Sequence, residues 1–199
     1  MLKKYEYLDK RIIKTKGLLK NSLLQLLQEE RFEDISISSI VERARISRVT
    51  FYNHYDNKEN LLNEIIGDVI TDFVNAFQEP YQKYNNFSIK DVKITSLRVF
   101  DHVYHHATFY KAIVHSYLLT FFSSQLTIAI KKLGETDFRV SDSKINHDLY
   151  TTYLAYAIPG LIIEWVKDGM KYSPIYMSEQ LMSIMIMSPE QRMKKITNR

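Results

Sequence analysis

The sequence predicts an all-α protein of about nine helices, and three observations favour this fold class. Apolar residues recur at helical spacing along most of the 199 residues. Only five glycines and four prolines interrupt this pattern. Strand-like alternation is rare and short, and the hairpin dipeptide Asn-Gly is absent. We therefore expect helices packed around an apolar core.

Composition and charge limit the classes of function. The absence of cysteine excludes disulfides, thiolate catalysis and cysteine-based zinc sites. The first residues hold no apolar run and no segment reaches the roughly 20 apolar residues of a membrane span, so we expect a cytoplasmic protein. Residues 1–20 carry seven lysines and arginines against Glu6 and Asp9, although the net charge is only +4. This basic end suits a phosphate-binding head, but a solvated tail gives the same pattern.

The first helix is predicted at about Arg11–Glu30, where leucines form one apolar stripe. Ser36 is the expected N-cap of a second helix, which continues to Ala44. Ser47 is the expected N-cap of a third helix, which holds Phe51. Two short helices thus follow one long helix.

A fourth helix is predicted to open with the capping box of residues 56–59 and to end at Pro80. Five helices are expected beyond it: from Ser88 to about His105, Phe109–Tyr117, Phe121–Leu133, Asn146–Asp168, and from Pro174 to about Met187. The segment Gly134–Lys144 has the most loop-like composition of this part.

Residues 36–55 combine into one motif. A short helix, a three-residue turn at residues 45–47 and a second short helix make a helix-turn-helix. Small and apolar side chains such as Ala44 and Ile46 are expected to form the core that sets the crossing angle. The second helix then exposes Arg48, Val49, Thr50, Asn53 and His54. A helix of this kind fits the major groove of DNA.

The run SISSIVERARISRVTFYNHYDNKENLL resembles the DNA-binding signature of the TetR family of transcriptional regulators. The matching features are the Ser-x-x-x-Ile start, the Ala44-x-Ile-Ser turn, the Thr-Phe-Tyr-x-His-Tyr helix and Lys58-Glu-x-Leu-Leu. The resemblance is specific from about Ile13 to Phe73 and looser beyond. Gly160, Leu161, Ile162, Ile163, Trp165 and Gly169-Met-x-x-Ser-Pro resemble a C-terminal type common in Gram-positive bacteria. Two departures are Val49 and Arg45, since many relatives have glycine at these places.

The resemblance implies a head at residues 1–57, a connecting helix at 58–79 and an effector-binding and dimerisation domain at 80–199. It implies a DNA-binding regulator and not an enzyme, without a cofactor and associated with the nucleoid when bound to DNA. The expected protein is a ligand-responsive repressor that binds a palindromic operator as a homodimer. A helical protein-interaction module, or a coactivator-dependent activator without a small-molecule effector, is the alternative.

Roles in DNA binding follow from the resemblance residue by residue. Contacts to phosphates or the sugar-phosphate backbone are expected from Lys14, Ser36, Ser38, Ser47, Thr50, Tyr52 and Lys58. Contacts to base edges are expected from Arg48, Val49, Asn53 and His54. Purely structural roles compete with these assignments, because serine is a common helix cap and tyrosine a common core residue.

Two further sites are implied in the C-terminal part. The family's effector pocket is expected to be lined by His102, His106, Phe109, Tyr110, Tyr117, Phe121 and Trp165. The last two helices are expected to form a dimer interface through Tyr153, Tyr156, Gly160, Leu161, Leu181, Met182 and Met185. Ordinary core packing is the alternative for both sets. His102 and His106 lie four residues apart, but without a third ligand no metal site is expected.

Overall fold

The computed structural model describes residues 2–80, 89–137 and 145–186, and within these ranges the chain forms nine α-helices and no β-strand. The prediction of an all-α fold is confirmed. In chain order the helices are α1 (Leu2–Leu26), α2 (Ile37–Ala44), α3 (Arg48–Tyr52), α4 (Lys58–Gln78), α5 (Ile89–His105), α6 (Ala107–Val114), α7 (Leu118–Asp137), α8 (His147–Lys167) and α9 (Pro174–Ile186). None of these helices is long and apolar enough to cross a lipid bilayer.

The N-terminal head consists of α1, α2 and α3. α1 packs on α2, and α2 packs on α3. The predicted stripe on α1 meets the buried sides of the two short helices, so that Leu19, Leu23, Ile40 and Phe51 are completely buried. This small core sets the angle at which α3 lies across the head.

Both short helices start at the predicted serine caps. The Ser39 backbone N–H donates to Ser36 Oγ at 3.0 Å, and the Thr50 backbone N–H donates to Ser47 Oγ at 3.1 Å. Each bond satisfies one of the amide hydrogens that a helix leaves unpaired at its first turn.

Arg45 ends α2 in the left-handed conformation, with φ at 55°. Its N–H donates to the Glu42 carbonyl, and the Ile46 N–H donates to the Val41 carbonyl, both at 3.0 Å. Glycine takes this conformation without strain, whereas a side chain costs about 1–2 kcal/mol. Arg45, which stands where many relatives have glycine, therefore ends α2 in a strained backbone conformation.

Helix α4 leaves the head and joins the C-terminal body. It packs on α5 and α7, while α9 packs on α5 and α8 packs on α6 and α7. The body core is rich in aromatic rings, with Phe73, Phe100, Tyr110 and Phe122 completely buried.

Several helix boundaries differ from the sequence prediction. α1 ends at Leu26 and not near Glu30, and α6 ends at Val114 and not at Tyr117. Asn57, not Asp56, caps α4 by accepting from the Asn60 N–H at 2.8 Å. The predicted cap Ser88, residues 138–144 and the predicted end at Met187 lie outside the described residues.

α7 also differs from the prediction, because it passes through Gly134 and ends at Asp137. A β-carbon at position 134 would overlap the Thr151 side chain on α8. Gly134 therefore permits the close approach of α7 and α8, and it does not start a loop. The predicted start of the loop-like segment at Gly134 was wrong because helix packing outweighed the low helix propensity of glycine.

Candidate nucleic-acid interface

Helix α3 buries one side and exposes the other. Phe51 and, just after the helix, Tyr55 point into the core of the head. The opposite side presents Arg48, Val49, Tyr52 and Asn53, which we call the recognition face. The Val49 side chain is 71% exposed and that of Tyr52 is 51% exposed, so neither is part of the core of the head. Four of the predicted DNA-binding residues therefore lie together on one surface.

Thr50 and His54 lie on another side of this segment and are half-buried. Together with Ser47 and Asn53 they line a concavity of about 560 Å³ between α3 and the N-terminal part of α1. The wall from α1 contains Arg11, Ile12 and Thr15. The sequence prediction did not name Ile12 or Thr15 as part of this surface. The four-residue spacing of Arg11 and Thr15 was the available signal.

The remaining predicted contacts come from α1, from the start of α2 and from the start of α3. Lys14 is exposed on α1, and Ser36 and Ser38 are exposed at the start of α2. The hydroxyls of Ser47 and Thr50 lie 2.9 Å apart and share a hydrogen bond. Ser36 and Ser47 thus cap their helices and are also exposed. Their hydroxyl groups therefore remain accessible to a phosphate.

A charged cluster joins α1 to α4. Lys16 and Lys20 donate to Glu64 at 2.8 and 2.6 Å, and Lys20 also reaches Asp68 at 2.5 Å. Burial opposes ionisation of Glu64, but the hydrogen bonds from the two lysines outweigh it and lower the pKa of the carboxyl. The cluster fixes the orientation of the head on the connecting helix.

The structure gives Lys58 a different role from the expected phosphate contact. Its ammonium donates to the carbonyls of Phe32, Glu33 and Ile35 at 2.6, 3.0 and 2.6 Å. It also lies 4.7 Å from the centre of the Phe32 ring. An ammonium has three hydrogens, and all three are used here. We infer that Lys58 holds the chain after α1 against the start of α4, and its phosphate contact stays a prediction.

Replacing Lys58 by methionine tests this assignment. We expect the free energy of unfolding to fall by about 1.5–3 kcal/mol, because three carbonyls lose a charged donor. Urea unfolding measures this change. The matched variant Lys131→Met, at an exposed position on α7, is expected to unfold like the original chain. If Lys58→Met instead keeps full stability and lowers the salt dependence of DNA binding by about one per subunit, Lys58 is a phosphate contact.

The residues predicted to line an effector pocket do not form one open cavity. His102, Phe109, Tyr110 and Trp165 are buried. Phe109, Tyr110 and Phe122 meet edge to face, with ring centres 5.2–5.6 Å apart. The Trp165 indole N–H donates to the Tyr172 carbonyl at 3.1 Å, which is a structural use of its polar atom.

The other three members of the predicted pocket are more accessible. His106 is half-buried, and Tyr117 and Phe121 are 53% and 46% exposed. Tyr117, in the turn between α6 and α7, and Phe121, in the first turn of α7, thus lie on the surface and not in the core. The seven residues thus divide between core and surface, and their assignment to an effector site stays a prediction.

Buried polar atoms without partners mark the part of the predicted pocket around α5. Among the described residues, Thr95 Oγ1, Ser96 Oγ, His102 Nε2 and Tyr110 Oη are buried and unpaired. Burial, together with the charges of His106 and His105, lowers the pKa of His102 to about 3, so its ring is neutral near pH 7. Such atoms are costly unless another molecule satisfies them.

The rings of His102 on α5 and His106, the residue just before α6, are tilted by 36° with centres 4.4 Å apart, and Asp72 Oδ2 lies 3.8 Å from His106 Nε2. Within the described ranges, no three histidine, cysteine or acidic side chains are grouped to hold a metal ion.

The predicted dimer residues divide between two environments. On α8, Leu149, Tyr153, Tyr156 and Gly160 follow one another at steps of four, three and four residues and are all exposed. We call these four residues the α8 stripe; Leu149 and Tyr156 are 71% and 69% exposed. A β-carbon at Gly160 would meet no atom within 4 Å, so a partner has room to approach. Leu149 was missed, although it lies one helical turn before Tyr153.

On α9 the predicted interface residues are less exposed than those on α8, and their place in an interface stays a prediction. Met182 is buried, and Leu181 and Met185 are half-buried, because this side of α9 packs on α5. The exposed apolar residues of α9 are Ile175, Tyr176 and Ile184. Periodicity alone did not identify the inward side, since α9 is apolar on more than one face.

Two family models match the chain. The model described as bacterial regulatory proteins of the tetR family matches residues 22–65. The model named TetR_C_8, described as a transcriptional regulator C-terminal region, matches residues 90–187. Together these segments include α2, α3 and nearly all of the body.

Individual relatives are also transcriptional regulators. The HTH-type regulator YxbF of Bacillus subtilis (strain 168) is 21% identical over 168 residues, which are 82% of this chain and 42% of YxbF. The dhaKLM operon transcriptional activator DhaS of Lactococcus lactis subsp. lactis (strain IL1403) is 32% identical over 72 residues, 36% of this chain and 38% of DhaS. The chain thus spans about two fifths of the length of these curated relatives.

A solved structure has the same fold. The TetR transcriptional regulator from Streptococcus agalactiae 2603V superposes with a TM-score of 0.59 at 20% identity. The match covers 90% of this chain and 98% of that protein. The order of head, connecting helix and helical body is therefore shared along nearly the whole length.

Proposed function

The chain belongs to the TetR family of DNA-binding transcriptional regulators, which are not enzymes, and on this premise we propose that it binds a palindromic operator as a homodimer. One observation carries the proposal. The recognition face exposes Arg48, Val49, Tyr52 and Asn53 side by side on a capped helix, although two of these residues are apolar or aromatic. This is the arrangement that enters a major groove with its first residues toward the base edges.

The roles within this interface follow from position and chemistry. Arg48 has the donor pair that fits guanine, and Asn53 has the donor and acceptor that fit adenine. Val49 offers methyl groups to a thymine methyl. Tyr52 on the recognition face and the exposed Lys14 of α1 bind phosphates and set the register on the duplex.

The dimer is proposed to form through the α8 stripe. Four exposed, mostly apolar positions on one side of a helix are a typical self-association surface, because two copies cover each other's apolar area around a two-fold axis. Two heads related by this axis read two half-sites about 34–36 Å apart, or a multiple of one turn. Because its target is chromosomal DNA, we place the protein in the cytoplasm, on the nucleoid when it is bound.

We propose repression as the direction of regulation, because occupancy of a promoter by a dimer is sufficient to block transcription. Activation is the second candidate, and the similarity to the activator DhaS favours it. Transcription from an operator-bearing promoter with purified polymerase, with and without the protein, distinguishes the two.

We also propose that a small molecule regulates DNA binding from the body. The unpaired polar atoms of His102 and Tyr110 support this, since their rings are neighbours with centres 6.1 Å apart. A ligand that supplies hydrogen bonds to both atoms favours the arrangement of α5 and α6 that admits it. This shifts the spacing of the two heads through α4.

The test of DNA binding is selection from a library of randomised duplexes with the purified chain at low salt. We expect enrichment of a two-fold symmetric motif, with half-site centres one helical turn or a multiple of it apart. Binding is expected to weaken steeply with salt, since phosphates dominate the affinity. A confirmed dimer that enriches no sequence and binds no duplex at low salt would contradict the proposal.

A further inference from the structure

A groove of about 700 Å³ separates the head from the body, outside the recognition face and the proposed effector site around His102. Three segments form its walls: residues 27–32 after α1, residues 111–117 at the end of α6, and residues 166–169 at the end of α8. The volume lies in the range of small-molecule sites. Because one wall belongs to the head and two belong to the body, an occupant contacts both parts at once.

The floor of this groove is apolar. Leu27 and Phe32 come from the head side, and Ala112 and Val166 come from the body. All four are buried. A polar ion alone gains nothing from such a floor, whereas an apolar ring or chain laid across it is removed from water.

The rim of the groove carries a cation on every wall. Arg31 stands on the head side, Lys111 on α6 and Lys167 at the end of α8. Lys167 is paired with Glu164 at 3.0 Å, and Arg31 is paired with Glu33 at 3.5 Å. Lys111 has no hydrogen-bond or ion-pair partner in the part of the chain that the structure describes.

The acidic side chains of the rim do not cancel this charge at α6. Glu29 is held by Arg43 through two hydrogen bonds of 2.6 Å, so its carboxylate is already neutralised. Glu30 is the other carboxylate of the lining, on the head side. His115 lies one helical turn after Lys111 and adds a ring nitrogen to the same wall.

We propose that this groove binds a small amphipathic organic anion. Its apolar body lies on Phe32 and Val166, and its acidic group pairs with Lys111 beside His115. Such a ligand holds the head against α6 and α8, and so favours one orientation of the head over others. The site is distinct from the one proposed around His102 and Tyr110, and binding to it requires no DNA.

The probe for this site is 8-anilinonaphthalene-1-sulfonate, compared with N-phenyl-1-naphthylamine, which has the same rings without the sulfonate. We expect one sulfonate probe per chain by fluorescence titration, and binding of the neutral analogue weaker by about tenfold. Lys111→Glu is expected to weaken the sulfonate probe by at least about tenfold, whereas Lys111→Arg retains most of the affinity. Lys131→Glu on α7 is the matched control and is expected to leave probe binding unchanged.

Three outcomes overturn the proposal: no probe binding, equal binding of the neutral analogue, or equal binding by the Lys111→Glu variant after unfolding curves confirm that it is folded. Coupling to the head is measured separately as the change in DNA affinity at saturating probe. Probe binding that depends on Lys111 but leaves DNA affinity unchanged contradicts the coupling. DNA affinity without probe tests the proposed function itself, so the two failures are distinguishable.

Discussion

Replacing Arg48 by alanine is expected to weaken operator binding by at least about 30-fold, while binding to unrelated duplexes falls much less. A guanidinium that pairs with guanine contributes about 1–3 kcal/mol of discrimination at each half-site, and a homodimer uses two copies. Arg48 is the first residue of α3 and is exposed, and no hydrogen bond or ion pair within the described ranges holds its side chain. Fluorescence anisotropy with the selected operator and a scrambled duplex measures both affinities.

Two companion variants make this experiment specific. Arg98→Ala removes an exposed arginine of α5 that pairs with Glu79, far along the chain from the head, and is expected to leave DNA binding unchanged. Lys14→Ala is expected to weaken both duplexes alike and to lower the salt dependence by about one per subunit, as a phosphate contact does. If Arg48→Ala weakens the operator and the scrambled duplex by the same factor, Arg48 contacts phosphate and not a base.

Introducing glutamate at both Tyr153 and Tyr156 is expected to convert the proposed dimer into monomers and to weaken operator binding by about 10²–10⁴-fold. Both tyrosines lie on the α8 stripe, so four carboxylates would meet across the two-fold axis in a region that loses water on association. The loss of DNA affinity follows because the second head no longer benefits from the high effective concentration that the first provides. Sedimentation velocity measures the assembly, and anisotropy measures the affinity.

Tyr104→Glu is the matched control for the dimer experiment. Tyr104 is as exposed as Tyr153 but lies on α5 and outside the α8 stripe. We expect this variant to remain dimeric and to bind the operator normally. A Tyr153→Glu, Tyr156→Glu chain that sediments as a dimer would place the interface elsewhere, and the exposed Ile175, Tyr176 and Ile184 of α9 would then be the surface to change next.

Much of the head was predictable because its determinants are local. The caps at Ser36 and Ser47 act over three residues, and both form the predicted hydrogen bonds. The exposed and buried sides of α3 follow from the same short spacing, with Phe51 inward and Val49 outward. Interactions this close in the sequence are nearly independent of the rest of the chain.

The environment of Lys58 depended instead on distant parts of the chain. A lysine at a helix start is a reasonable phosphate ligand, but the carbonyls of Phe32 and Ile35 lie next to it only after the head has folded on α4. The groove beside Lys111 has the same origin, since its three walls are far apart in the sequence. Neither the carbonyl contacts of Lys58 nor the groove beside Lys111 produces a periodic pattern in the sequence.

The sequence by itself determined that the chain is all-α, that residues 36–55 form a helix-turn-helix, and that Arg48 and Val49 project outward from it. Helical periodicity and capping act within a few residues, so residues close together in the sequence determine these properties. Only the tertiary structure decided which apolar side of α9 faces α5, why α7 continues through Gly134, and what surrounds His102 and Lys58. Each of these depends on which of several possible neighbours a helix packs against, and that choice is made by the fit of the whole core.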